Sequence, residues 1–119
     1  MRVVVTGGRD NNNLKAIWAT LDEVHNLYPI TLLIWGGARG VDRICAKWAD
    51  ARKVNHLLMP ARWKEDGRAA GFIRNKRMLS FEGVSMLIAF HGGKGTAHTV
   101  DTAKKMGLDI WYQDDVTKE

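Results

Sequence analysis

The sequence is poor in cysteine and proline: its 119 residues include a single cysteine and two prolines. Cys45 therefore cannot form an internal disulfide, and its position on the apolar side of a helical pattern predicts a small buried hydrophobe rather than a reactive thiol. No Pro-rich or low-complexity tract marks a linker. We expect one domain over residues 2–112, of a size that buries roughly two-thirds of its unfolded surface, and a polar tail over residues 113–119.

Long apolar runs and metal-ligand patterns are missing as well. No apolar run approaches the ~20 residues of a transmembrane helix, so we expect a cytoplasmic protein without a membrane partner. The four histidines and the cysteine are scattered, which predicts no metal site. Neither the dinucleotide fingerprint G-x-G-x-x-G nor the P-loop G-x-x-x-x-G-K-[ST] occurs, so classical NAD or ATP chemistry is not indicated and no cofactor is predicted.

Positive charge is in excess, with 18 Lys and Arg against 13 Asp and Glu and a formal net charge of +5. This balance favours an anionic partner. A third of the basic residues fall in the run Arg62–Arg77. Such a run is either a solvated helix face or a nucleic-acid surface, and Trp63 within it is placed to stack on a base.

Strand-like apolar runs alternate with amphipathic helix patterns along the chain. This alternation predicts a compact, single-domain, Rossmann-like α/β fold: a parallel sheet of about five strands with helices on both faces. The predicted strands are Arg2–Thr6, Ile30–Trp35, Val54–Met59, Met86–Phe90 and Leu108–Tyr112, and the predicted helices are 13–28, one from Val41 to beyond Trp48, Gly71–Ser80 and 96–106.

Finer expectations follow from the same patterns. Residues 60–68 are predicted to be a basic and aromatic loop. The third helix should turn Ile73, Met78 and Leu79 inward, and Gly107 should cap the fourth helix. The inward face of that fourth helix is predicted to hold Ala97, Val100, Ala103 and Met106.

Three of the predicted strands, the first, second and fourth, end in a glycine turn that leads into a helix. One such turn can need glycine only for a positive φ. The carboxyl ends of parallel strands, however, share one edge of the sheet, where backbone N–H groups and helix N-termini attract phosphate. The sequence thus predicts a shared phosphate-bearing ligand, with contacts from Gly7, Gly8, Gly36, Gly37, Gly40, Gly92, Gly93, Gly95 and Thr96.

Polar side chains beside these turns are further binding candidates, each with a structural alternative. Arg9 and Arg39 can clamp a phosphate or lie in solvent at a loop tip. Asp10 and Asp42 can cap a helix or meet a ribose hydroxyl. Lys94 is a phosphate contact or a solvated loop lysine.

Four motifs, taken together, resemble one protein family. They are VTGGRD, GGARGVDRICAKWA, WKEDGRAAGFIRNKRM and FHGGKGTA, in the order in which the YspA/YpsA-related branch of the SLOG superfamily has them. That superfamily also contains the Lonely-guy phosphoribohydrolases and the DNA-processing protein DprA/Smf. The resemblance covers about residues 2–111 and implies a Rossmann-like fold with a pocket for a nucleotide or a nucleotide-derived ligand.

The Lonely-guy motifs can be compared with this chain position by position. Their R-K-x-x-M motif, whose arginine serves the nucleotide, resembles RNKRM here, with Arg74 retained and Asn75 in place of the lysine. Their P-G-G-x-G-T-x-x-E motif resembles HGGKGTAHT. Thr99 stands where that motif has its catalytic glutamate, and Asp101 lies about 200° further round the helix.

This departure leaves the catalytic residues unknown, with Arg74 and His98 as candidates and His98 as a base or a surface residue. We therefore favour a sensor, carrier or sequestering protein for a nucleotide-derived ligand. The alternatives are a nucleoside 5′-monophosphate phosphoribohydrolase or nucleosidase, which would cleave an N-glycosidic bond, and DprA-like binding of single-stranded nucleic acid. A homodimer or larger homo-oligomer is implied by the resemblance alone.

Overall fold

The structure is a computed structural model and describes residues 1–113; the residues of the predicted tail from 114 onward lie outside the described part. Eleven segments of regular structure follow one another. They are β1 (Arg2–Thr6), α1 (Leu14–Leu27), β2 (Leu32–Trp35), α2 (Val41–Ala51), β3 (Asn55–Leu58), α3 (Trp63–Asp66), a 3-10 turn (Gly67–Ala69), α4 (Ala70–Leu79), β4 (Val84–Ala89), α5 (Lys94–Lys105) and β5 (Asp109–Tyr112).

All five strands are parallel and lie in the order β3-β2-β1-β4-β5. The predicted Rossmann-like α/β fold is confirmed. The chain leaves β1 toward β2 and later returns to pair β4 with the other side of β1, so the topology reverses between β1 and β4. Ligands of such sheets bind beyond the carboxyl ends of the strands at this reversal.

Alternating side chains divide the interior into two layers, because successive residues of a strand point to opposite faces. Val3 and Val5 of β1 pack with the buried faces of α1 and α2. Val4, between them, packs on the opposite face with Met78 of α4 and Ala103 of α5. Helices therefore cover both faces, as predicted.

Several finer expectations about helices need correction. Residues 60–68 are not a loop throughout, since α3 and the 3-10 turn lie there. Ile73 is 40% exposed, and Met106 is also exposed rather than inward. In α5 Thr99 and Ala103 are buried and Val100 packs against the same core, as predicted for Val100 and Ala103, while Ala97 is exposed. The helix begins at Lys94, and its inward face is set by packing against β4 and β5 rather than by hydrophobicity alone.

Other local expectations are confirmed. Gly107 has φ +76 directly after the end of α5, which is the left-handed conformation expected of a helix cap. Cys45 is fully buried in the core. In the described residues, no helix has both the length and the apolar character needed to cross a membrane.

Candidate functional site

An open cleft of about 620 Å³ lies at the point where the sheet topology reverses. Its walls come from the turn after β1, the turn after β4, the first turn of α5 and the facing side of α4. The cleft is therefore at the sheet edge that the sequence predicts, and four separate segments of the chain supply its lining: residues 5–11, 38–42, 74–78 and 91–99.

Close backbone packing joins the three glycine turns. The Gly8 N–H donates to the carbonyl of His91 at 2.8 Å, linking the first turn to the last. A β-carbon at Gly40, which has φ +76, would lie 2.5 Å from the carbonyl oxygens of Gly8 and Arg9. Only glycine fits at position 40, so the middle turn can pack directly against the backbone of the first turn.

The N-terminus of α5 opens into the cleft. The helix follows Gly93, which supplies no side-chain cap. In the part of the chain that the structure describes, the N–H groups of Lys94, Gly95 and Thr96 donate to no protein acceptor. Three free donors and the positive end of the helix dipole thus meet at the cleft, an arrangement that favours an anion.

Arg74 of α4 brings a positioned cation to the same cleft. Its Nη1 donates to the carbonyl of Gly36 at 2.5 Å and approaches that of Met59 at 3.5 Å, while Nε donates to Asn75 Oδ1 at 3.0 Å. Within residues 1–113, Nη2 has no hydrogen-bond partner and the guanidinium forms no ion pair. Three bonds therefore fix the guanidinium and leave one of its nitrogens available to a ligand.

The side chain of Arg74 is partly buried. Burial, the largest influence, lowers the pKa of Arg74 from its ordinary value; Asp42 acts in the opposite direction, and Arg9 lowers it further. Arginine stays protonated at any physiological pH. In the described residues no carboxylate forms an ion pair with Arg74, and an anionic ligand would supply that negative charge.

Asn75 contacts both Arg74 and His98 and so connects the arginine to α5. Asn75 is buried and places its Nδ2 3.5 Å from His98 Nδ1. The imidazole of His98 stacks on Phe72 with ring centroids 4.0 Å apart. His98 lies in a separate shallow groove between α4 and α5 and is not part of the cleft lining.

Asp42 brings a buried carboxylate to the cleft wall. Its side chain accepts hydrogen bonds from the backbone N–H groups of Gly36 (3.1 Å) and Ala38 (3.2 Å), both through Oδ2. It therefore closes the turn before α2, while Gly40 occupies the helix N-cap. Burial is the largest influence on its pKa and raises it; the two backbone hydrogen bonds and the positive charges of Arg74 and Arg9 only partly oppose that rise.

The remaining charged residues near the glycine turns are exposed. Arg39 donates to Asp10 at 3.0 Å across the cleft rim, in an ion pair whose side chains are largely in solvent. Such exposed pairs contribute little to stability. Arg9 and Lys94 line the cleft and are exposed.

The structure brings most of the predicted ligand-binding residues together. Those that line the cleft are Gly7, Gly8, Arg9, Asp10, Asp42, Arg74, Asn75, Gly92, Gly93, Lys94, Gly95 and Thr96. Those outside its lining are Gly36, Gly37, Arg39, Gly40 and Trp63.

The middle glycine turn lies behind the cleft for a steric reason. Its Gly36 is covered by the guanidinium of Arg74, and its Gly40 is pressed against the first turn. Trp63 is 60% exposed, with its ring edge against Gly71 at the start of α4. The middle turn therefore supports the cleft wall by holding Arg74 and Asp42.

Sequence reasoning missed seven residues of the lining as ligand contacts: Val5, Thr6 and Met78 of the inner wall, and a set of four nearer the turns and α5. Asn11 donates from Nδ2 to the carbonyl of His91 at 3.4 Å, and both residues line the cleft. Ala38 and Thr99 complete this set. Asn11, Ala38 and His91 lie within or next to the glycine turns, so extending each turn by one or two residues would have included them.

Thr99 aligns, by resemblance, with the glutamate of the Lonely-guy motif, and it does not offer the chemistry of a carboxylate. Its hydroxyl donates to the carbonyl of Gly95 within α5, at 2.9 Å, and the residue is buried. A hydroxyl engaged in this way does not act as a carboxylate base. In residues 1–113, no group of three or more His, Cys, Asp or Glu side chains is arranged to hold a metal ion.

Comparison with known protein families shows the family to which the chain belongs. A sequence model described as "YspA, cpYpsA-related SLOG family" matches residues 1–65, which is more than half of the chain. The chain belongs to this SLOG family. The matched region of the SLOG chain contains the first two glycine turns together with Arg9, Asp10 and Asp42.

A relative from a bacterial virus is similar to almost the whole chain. The chain is 33% identical over 117 residues to the Gene 61 protein of Mycobacterium phage D29, an alignment that covers 92% of this chain and 93% of the phage protein. The similarity thus extends beyond the first 65 residues to the turn after β4 and to α5. No solved structure matches the chain.

Proposed function

We propose that the cleft binds a nucleotide or a nucleotide-derived phosphate ligand, and that the protein acts as a sensor, carrier or sequestering protein for it. Membership of the SLOG family supports a nucleotide-related ligand. The domain over residues 2–112 would then be a single ligand-binding unit. The rest of the proposal depends on the chemistry of the cleft.

One observation carries the proposal: Arg74 and the N-terminus of α5 face the same cleft. The arginine is half-buried, is fixed by protein carbonyl and amide oxygens, and forms no ion pair within the described chain. The helix adds the free N–H groups of its first turn. A buried or half-buried charge is ordinarily matched by a counter-charge, and a phosphate placed here would supply it.

Equilibrium binding to a small panel tests this proposal. The panel consists of AMP, GMP, CMP, UMP, ribose 5-phosphate and the phosphate-free nucleoside adenosine, measured by calorimetry or by chemical-shift changes. We expect at least one phosphate compound to bind and adenosine to bind far more weakly. Arg74→Ala should weaken phosphate binding about 10- to 100-fold, the range expected for the loss of a charge-assisted hydrogen bond.

Arg62→Ala is the matched control for this experiment. It removes the same charge, but Arg62 is exposed just before α3 and does not line the cleft. We expect it to leave nucleotide binding unchanged. If no phosphate compound binds, or if the two variants weaken binding equally, the proposed function is wrong.

Hydrolysis is the first alternative function. Two carboxylates line the cleft, Asp10 and Asp42, so an acid or base other than Thr99 is available within it. Asp10 is engaged by Arg39, and Asp42 holds the turn before α2. Incubating each nucleoside monophosphate with the protein and assaying free base and ribose 5-phosphate separates the two functions: turnover that Arg74→Ala abolishes would establish a hydrolase.

Single-stranded nucleic-acid binding is the second alternative, and a surface outside the cleft favours it. Trp63 and Phe72 are both more than half exposed, and Trp63 lies in the sequence between the exposed cations Arg62 and Lys64, with exposed Arg68 five residues further on. Aromatic rings between cations are typical of surfaces on which bases stack. An oligonucleotide should then bind with a steep salt dependence that Trp63→Ala and Arg62→Ala weaken and Arg74→Ala does not.

Two further expectations stay predictions. A homodimer or larger homo-oligomer, implied by the resemblance, is measurable by light scattering coupled to gel filtration. A cytoplasmic location is measurable by fractionating cells that produce the protein.

A further inference from the structure

The two carboxylate oxygens of Asp42 have different surroundings. Oδ2 accepts from the N–H groups of Gly36 and Ala38, at 3.1 and 3.2 Å. Oδ1 accepts no hydrogen bond from any residue in the described part of the chain. The residue is only 7% exposed, and it lines the cleft. A mostly buried carboxylate at the cleft wall thus keeps one oxygen without a protein donor.

Such an acceptor calls for a hydrogen-bond donor. Removing a carboxylate from water without replacing its hydrogen bonds is unfavourable, and here burial outweighs the groups that stabilise the charge, since it raises the pKa of Asp42. Neighbouring Arg74 already directs Nη1 and Nε to other oxygens. The missing donor can therefore come from a ligand.

The same carboxylate limits what the ligand can be. A phosphate directly against Asp42 would place two negative charges together, so phosphate belongs at Arg74 and at the first turn of α5. The part of the ligand that reaches Asp42 has to be uncharged and carry a donor. A phosphate monoester of a sugar has both parts, whereas inorganic phosphate and pyrophosphate have no uncharged part.

We propose that Oδ1 of Asp42 recognises a hydroxyl of the sugar on the same ligand whose phosphate lies at Arg74 and the N-terminus of α5. This inference rests on the proposed function and specifies its ligand class as a sugar phosphate with a free ring hydroxyl. The middle glycine turn then has a defined purpose, because its N–H groups hold Oδ2 and leave Oδ1 for the ligand. Asp10 is the less suitable acceptor, since it is exposed and already paired with Arg39.

The test compares ligands that differ only in their hydroxyls. The probes are AMP and 2′,3′-dideoxy-AMP, with the GMP, CMP and UMP pairs used in the same way if another base binds more tightly. Ribose 5-phosphate and its 2-deoxy analogue complete the set. We expect the wild-type protein to bind the hydroxylated member of a pair about 10- to 100-fold more tightly, as for a hydrogen bond to a charged group.

Asp42→Asn is the discriminating variant. Its amide oxygen can keep both backbone hydrogen bonds, while its NH2 group replaces the free oxygen with a donor. We expect the preference for the hydroxylated ligand to fall several-fold, because the NH2 group can still donate to the hydroxyl oxygen but makes only a neutral hydrogen bond. The affinity for the dideoxy ligand should stay near its wild-type value. If Asp42 had a purely structural role, Asp42→Asn would instead weaken the binding of both ligands by the same factor.

The outcomes separate this inference from the proposed function. If phosphate compounds bind and depend on Arg74, but the wild-type protein does not distinguish the two members of a pair, the inference fails and the proposed function stands. If Asp42→Asn keeps the full preference, the inference fails in the same way. If no phosphate compound binds, both fail. Should Asp42→Asn not fold, the wild-type comparison alone decides.

Discussion

The guanidinium of Arg74 lies directly over the backbone of Gly36, with Nη1 donating to the Gly36 carbonyl at 2.5 Å. A β-carbon at Gly36 would overlap Nη1 and lie 2.7 Å from Cζ of the same guanidinium. The guanidinium of Arg74 can therefore occupy this position only because Gly36 has no side chain. Arg74 comes from α4 and Gly36 from the end of β2, so this contact connects two distant segments.

Gly36→Ala should reduce nucleotide binding without touching a ligand-contacting group. The new methyl group displaces the arginine, so we expect an affinity loss of about 10- to 100-fold, similar to that of Arg74→Ala. Titration of the tightest-binding nucleotide measures it. Gly71→Ala serves as the control, because its β-carbon would make an ordinary 3.7 Å contact with Trp63. An unchanged affinity in Gly36→Ala would mean that Arg74 does not need this position to bind ligand.

Two neighbouring glycines in the turn after β4 should differ in how strongly replacement by alanine destabilises the protein. A β-carbon at Gly92 would overlap the Thr96 hydroxyl and lie 2.7 Å from the backbone nitrogen of Gly8, whereas one at Gly93 would have nothing within 4 Å. Gly92→Ala should lower the free energy of unfolding by about 1–3 kcal/mol, as overpacking does. Gly93→Ala should lower it by less, about 0.5–1 kcal/mol, because it meets no steric clash and loses only the preference for glycine over alanine at the helix N-cap. Denaturant titration of both variants measures the difference, and equal effects would contradict the packing of the first and last turns.

Much of this site was predictable from the sequence because of one topological rule. Glycine turns after three parallel strands had to meet at one edge of the sheet, and the structure places residues from the first and last of them in the cleft lining. Arg74 and Asn75 were predicted by the resemblance, since they fall in the middle of a helix that periodicity alone does not connect with the turns.

The remainder depended on contacts between distant segments. Gly36 and Gly40 belong to a glycine turn much like the turns that line the cleft. However, the guanidinium of Arg74 covers Gly36, and the backbone of Gly8 lies against Gly40. Asp42 was expected to cap a helix or to meet a ribose hydroxyl. It lies one residue inside the helix because Gly40 has taken the cap position. No local feature of the sequence distinguishes a glycine that lines the cleft from one that is covered, or an aspartate at the helix cap from one inside the helix.

Asp42→Asn should also change how stability depends on pH. The pKa of Asp42 is raised above its ordinary value of 3.8, mainly by burial. The folded protein then holds this proton more tightly than the unfolded chain does. Stability from this group is therefore full below pH 3.8 and is lost as the pH rises through the folded pKa. We expect the stability of Asp42→Asn relative to the wild type to increase from pH 4 to pH 7.

Denaturant titrations of both proteins at several pH values measure this difference, in which the contributions of other ionisable groups largely cancel. A difference that stays constant with pH would show that Asp42 has no raised pKa. The measurement needs no ligand, so it examines the buried carboxylate independently of the binding proposals.

Cys45 should be unreactive in the folded protein. It is fully buried, and burial is the largest cause that raises the pKa of its thiol well above the usual value, with Asp42 adding to the rise. Both effects suppress the thiolate that reacts with disulfide reagents. We expect a chromogenic disulfide reagent to label the native protein many-fold more slowly than protein unfolded in denaturant; equal rates would place the thiol at the surface.

Asp22 should stabilise the face of the protein that lies away from the cleft. It accepts from the indole Nε1 of buried Trp48 at 2.8 Å and from Arg52 through two bonds of 2.9 Å. Asp22→Ala leaves the indole N–H without an acceptor, which costs about 1–3 kcal/mol. The matched control is Asp101→Ala, since Asp101 makes only an exposed ion pair with Lys105 at 3.1 Å, and such pairs contribute about 0.3–0.5 kcal/mol.

The effect of Asp22→Ala should also depend on acid. The hydrogen bond from Arg52 is the largest cause that lowers the pKa of Asp22 below 3.8. The stability that its charge contributes is therefore complete above pH 3.8 and is lost as the pH falls through the lower, folded-state pKa. Thermal unfolding at neutral and acidic pH should show the gap between wild type and variant narrowing in acid. A gap that stays unchanged down to the lowest pH at which both fold would mean that the indole bond alone accounts for it.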